Sequence, residues 1–167
     1  EIMRRYDLAL KDLSRSIELD PTNSSAFVWR GITYDKMDKH KEAILDFDQA
    51  IDLNPKFDWA FGNRGFAYES VGKHDEALHD FTKAIEINPK DIWVITNRGR
   101  VYKSIEKYDE AIQDLTRAIE LDPDYDWGLG SRSETYQLIG KYDDALKDIN
   151  RAIEIDPKSA WYYEIRA

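Results

Sequence analysis

Along Lys107–Pro123 the small and apolar residues fall at Ala111, Ile112, Leu115, Ala118 and Ile119. That i, i+3/i+4 spacing predicts a short helix with one buried stripe. Asp109 and Glu110 occupy its first turn, where a helix N-terminus favours negative charge. Pro123 cannot continue the helix and biases Asp122 away from helical torsions. The pattern then recurs. Pro21, Pro55, Pro89, Pro123 and Pro157 each follow the last by 34 residues, and Ala9, Ala43, Ala77, Ala111 and Ala145 keep the same step. So do Tyr34, Tyr68, Tyr102 and Tyr136, and Gly31, Gly65 and Gly99, with Ser133 in the fourth place. A fixed period of this size predicts stacked units, because each unit buries its apolar stripe only against its neighbours.

Each period holds two helices. In 92–125 the first runs from Ile92 to about Ser104, with Asp91 as its N-cap. Ile105, Glu106 and Lys107 form the turn, where the second and fourth units place Gly72 and Gly140, as helix C-termini favour. The second helix runs from Tyr108 to about Leu121. The full units are 24–57, 58–91, 92–125 and 126–159. Residues 1–23 supply a second helix, entered mid-pattern at Glu1, and 160–167 supply the start of a further first helix. The expected fold is all-α, a single array of antiparallel helix pairs over 1–167, cut from a longer chain.

These residues carry a resemblance. Phe61, Gly65, Tyr68, Ala77, Phe81, Ala84 and Pro89 in one unit, and Ile95, Gly99, Tyr102, Ala111, Leu115, Ala118 and Pro123 in the next, stand at repeat positions 4, 8, 11, 20, 24, 27 and 32. The sequence resembles the tetratricopeptide repeat family over essentially its whole length. The resemblance implies a right-handed superhelical solenoid whose concave face is lined mainly by first helices. It also implies that protein or peptide partners bind along that face.

One departure from the family pattern predicts a contact. Position 7, usually leucine, is Arg30, Arg64, Arg98, Arg132 and Arg166 here, and position 23 is Asp12, Asp46, Asp80, Asp114 and Asp148. An arginine in a packed register requires a carboxylate to offset its desolvation. A repeated Arg–Asp pair between first and second helices follows, as a lock inside the array rather than a ladder for anionic ligands.

The family's groove positions hold the candidate site. Position 2 carries Trp59, Trp93, Trp127 and Trp161. Tryptophan offers large contact area and a donor at low entropic cost, so these rings suit an extended peptide. They equally suit packing on the preceding unit's second helix or its proline turn. Asn63 and Asn97 at position 6 match the donor and acceptor of a peptide backbone. Phe66, Arg100 and Glu134 at position 9, and Lys103 at position 12, differ between units as selectivity determinants would. The carboxylate clamp of chaperone-binding relatives is not matched, because Val28 and Ile32 occupy two of its places.

Composition narrows the function. A net charge of −9 repels nucleic-acid phosphates and anionic lipid, so neither is an expected partner. Cysteine is absent, which removes disulfides, a thiolate nucleophile and cysteine-based zinc sites, and mildly favours a cytoplasmic location. No apolar run approaches the ~20 residues that span a bilayer. His40 and His74 share position 17 with Tyr108 and Tyr142 and read as packing residues. No catalytic motif, metal cluster or cofactor motif is present. The reading is therefore a non-enzymatic protein–protein interaction module. The alternative is a regulatory sensor or oligomerisation segment of a larger signalling ATPase or enzyme. The half-units at the ends, with Trp161, Tyr162, Tyr163 and Ile165 at one of them, further suggest self-association.

Overall fold

The computed structural model describes residues 2–167, with side chains from residue 5 onward; Glu1 lies outside the described residues. Ten α-helices and no strands are present among them. They are α1 (Ile2–Leu19), α2 (Ser24–Asp35), α3 (His40–Leu53), α4 (Asp58–Ser70), α5 (His74–Ile87), α6 (Ile92–Ser104), α7 (Tyr108–Leu121), α8 (Asp126–Leu138), α9 (Tyr142–Ile155) and α10 (Ala160–Arg166). Helices α6 and α7 have the limits that periodicity predicts. Two compact units result, one ending at Pro89 and one beginning at Lys90. In each, consecutive helices pack as hairpins: α2 with α3 and α4 with α5, then α6 with α7 and α8 with α9.

The ends of the helices follow local chemistry. Asn23 and Asp91 cap α2 and α6, their side chains accepting from the Ala26 and Val94 amides at 3.1 Å. These bonds satisfy donors that a helix leaves orphaned. The turns between paired helices need one left-handed residue. Gly72 and Gly140 supply it at φ 75°, while Asp38 and Glu106 adopt φ 58° and 62° against their preference.

Small residues set how closely paired helices approach. A Cβ at Gly31 would lie 2.6 Å from the Phe47 ring, and one at Gly65 would lie 3.0 Å from Phe81. At Gly99 the nearest atom would be Leu115 Cγ at 3.2 Å. Phe47, Phe81, Leu115 and Ile149 are themselves fully buried, so they have little room to yield. Ser133 is the exception that fits. Its hydroxyl donates to the Ala145 carbonyl at 2.9 Å, satisfying the polar group that the substitution buries.

Candidate functional site

The position-7 arginines form the predicted pairs, and each pair is bidentate. Arg30 holds Asp46 through Nε and Nη2 at 2.8 and 2.6 Å, and Arg64 holds Asp80 at 2.6 and 2.8 Å. Arg98 holds Asp114 at 2.7 Å twice, and Arg132 holds Asp148 at 2.6 and 2.8 Å. Fork-to-fork geometry is the strongest way to pair these groups. In Arg30, Arg64 and Arg132 the remaining nitrogen, Nη1, reaches an oxygen on the preceding second helix. The partners are Ser14 at 3.2 Å for Arg30, Asp48 at 2.6 Å for Arg64 and Thr116 at 3.0 Å for Arg132. Arg166 bonds Asn150 in the same way at 3.1 Å. Burial pulls the Arg64 pKa down, but the bonds to Asp80 and Asp48 outweigh it and the net shift is upward. These arginines are bonded into the scaffold.

The candidate binding residues separate into local clusters. In the unit ending at Pro89, Trp59 is half-buried and meets the Trp29 ring edge-on, with centroids 4.7 Å apart. Phe57 flanks Trp59 at 6.2 Å. Asn63 donates to the Trp59 carbonyl one turn back at 2.7 Å, so one of its two amide N–H donors is used within α4. Phe66 is half-buried on the same helix.

In the unit from Lys90, Arg100 lies over Trp127 at 5.2 Å from the ring centre. Tyr125 stands edge-on to Trp127 at 6.1 Å. Lys103 and Glu134 close an ion pair at 2.6 Å between α6 and α8. Trp161 lies against Tyr162, and its ring covers the place where a Cβ on Gly130 would stand, 2.7 Å away. Trp93 is half-buried.

Asn97 departs from the sequence expectation. It is fully buried, its amide donates to the Trp93 carbonyl at 2.8 Å, and its oxygen accepts from Arg100 at 3.1 Å. Bonded at both ends and buried, it braces α6 and is not exposed to a peptide backbone. On the preceding repeat Trp59 and Trp127 meet the proline-turn residues Phe57 and Tyr125, and Trp59, Trp127 and Trp161 also meet first-helix groups, Trp29, Arg100 and Gly130.

Trp29 stands outside the positions that periodicity singles out. It is 52% exposed, at position 6 of α2, where later units hold Asn63, Asn97 and Ser131. The signal was present: it is the one tryptophan outside the position-2 series, so no scaffold rule calls for it. His40 is engaged locally, with Nδ1 2.8 Å from an Asp35 oxygen, and His74 Nδ1 is buried without a hydrogen-bond partner. Among the described residues no cluster of acids and histidines has the composition of a metal site, and no helix is long and apolar enough to cross a membrane.

Comparison with known proteins agrees with this architecture. No curated protein matches the sequence. Among solved structures, a crystal structure of MamA superposes with a TM-score of 0.82 at 24% identity, covering 92% of this chain and 90% of that one. YrrB, described as a TPR protein with an unusual peptide-binding site, gives 0.79 at 22% identity, covering 98% and 84%. TTC0263, a thermophilic TPR protein of Thermus thermophilus, gives 0.79 at 24%, covering 99% and 89%. These likenesses establish the fold. Sequence models of the tetratricopeptide repeat match residues 24–57, 59–91, 92–125 and 129–159. With repeats recognised over most of its length and built as helix pairs locked by arginine and aspartate, the chain belongs to the tetratricopeptide repeat family.

Proposed function

We propose that the chain is a protein-interaction module that binds a peptide across the first helices of the unit ending at Pro89, centred on Trp29. The carrying observation is the exposed Trp29 ring held edge-on by Trp59. Tryptophan is costly to leave in water, and an anchored, solvent-facing ring is the typical centre of a binding hot spot. Asn63 and Phe66 stand one and two turns further along α4 from Trp59 and extend the same surface. YrrB, a structural neighbour, is described as having a peptide-binding site, which is the same class of activity.

The test is selection of peptides from a random displayed library, followed by fluorescence anisotropy on the purified chain. Trp29→Ala is expected to weaken the selected peptides by about tenfold or more. Circular dichroism should show the helices intact. Undiminished binding by both Trp29→Ala and Phe66→Ala would remove the site from this face.

A further inference from the structure

A second surface lies on the other side of α4. Tyr68 follows Trp59 by nine residues, two and a half helical turns, so the two side chains leave α4 in opposite directions. Beneath Tyr68 is an open groove of about 500 Å³ lined by Lys41, Ile44, Leu45, Tyr68, Val71 and Lys73. Its floor is apolar: Ile44 and Tyr68 are half-buried, Leu45 is 64% exposed and Val71 is 41% exposed.

Two of these residues break the repeat. Position 22 is His79, Gln113 and Lys147 in the other full units, but Leu45 here. Position 18 is Asp75, Asp109 and Asp143 in those units, but Lys41 here. Neither change serves the scaffold, because the same fold is built elsewhere with polar and acidic residues. Both changes meet in one groove. Lys73, on the other wall, lies 5.5 Å from the Tyr68 ring centre and 3.3 Å from Glu76. That ion pair is solvent-exposed and holds Lys73 only weakly. In a chain of net charge −9, an apolar floor between two lysines is a local inversion of surface character.

We infer that this groove docks an acidic peptide segment, with a leucine- or phenylalanine-sized side chain on Leu45 and Ile44 and flanking carboxylates on Lys41 and Lys73. Charge complementarity selects the acids, and the apolar floor selects the anchor. The site is separate from the Trp29 face, and both can be filled at once.

The test takes the random library to the Trp29→Ala chain, so that only peptides independent of that face are recovered. Recovered peptides are then measured by anisotropy against Lys41→Asp and Leu45→Gln, which restore residues that other repeats carry at those positions and therefore leave the fold intact. The expected result is enrichment of sequences joining Asp or Glu to Leu or Phe, with about a tenfold loss of affinity in each variant. Recovery of no peptide, enrichment of basic sequences, or equal binding by both variants overturns the inference.

Discussion

The unit ending at Pro89 and the unit beginning at Lys90 share a framework but present different first-helix surfaces. In the former, position 6 of α2 is an exposed tryptophan with a second ring set against it. In the latter, position 6 is Asn97 and Ser131, both buried, and Trp127 has Arg100 over its face. The Lys103–Glu134 pair further joins α6 to α8 by charge. Yet the arginines, aspartates and close-contact positions that hold the helix pairs together are the same in both. The repeat dictates where a side chain stands; a single residue off the pattern decides what that place offers.

The comparison is open to challenge at its electrostatic framework, where the largest effect is expected. Asp148→Ala leaves Arg132 with the Thr116 hydroxyl in place of a carboxylate, and should cost about 3 kcal/mol by urea denaturation. Asp80→Ala should cost less, because Arg64 keeps the Asp48 carboxylate at 2.6 Å. Equal losses would show that the partner on the preceding helix contributes nothing, and the two frameworks would then be equivalent.

The close-contact positions give the next effect. Gly31→Ala drives a methyl to 2.6 Å from Phe47 and should destabilise by about 2 kcal/mol. At Gly99 the approach is 3.2 Å, and the gain in helix propensity of about 1 kcal/mol should nearly cancel the strain. Gly65→Ala should fall between. Thermal unfolding that ranks the three otherwise would mean that Phe47 rearranges more readily than its burial implies.

The smallest effect lies in the turns, one strained residue per unit. Glu106→Gly should raise stability by about 1 kcal/mol, and Asp38→Gly by less, since a short acidic side chain tolerates the left-handed region better. Melting temperatures of the two variants measure this directly.

Much of this architecture was legible in the sequence because it recurs. The Arg–Asp pairs could be inferred from a charge appearing in a packed register at every period. The further bonds of Arg30, Arg64, Arg132 and Arg166 could not, because their partners are Ser14, Asp48, Thr116 and Asn150, which share only an oxygen within reach. Asn63 and Asn97 look identical in sequence, and both turn their amides back onto their own helix. Burial and Arg100 occupy the second end of Asn97, and that depends on neighbours the repeat does not prescribe. Trp29 is illegible for the opposite reason: it occurs once, and periodicity marks only what recurs.

A position-7 arginine stands 16 residues after one partner and 16 before the other, as with Arg64 between Asp48 and Asp80. Those separations lie within the 34-residue period. Removing or copying any block of that length brings an arginine, a fresh oxygen and a fresh aspartate into the same relation. A block that is not a whole number of periods, with a junction between a position-7 arginine and its aspartate such as Arg64 and Asp80, breaks that spacing. Recombination in whole periods therefore preserves every such pair, and the electrostatics act as a reading frame for evolution.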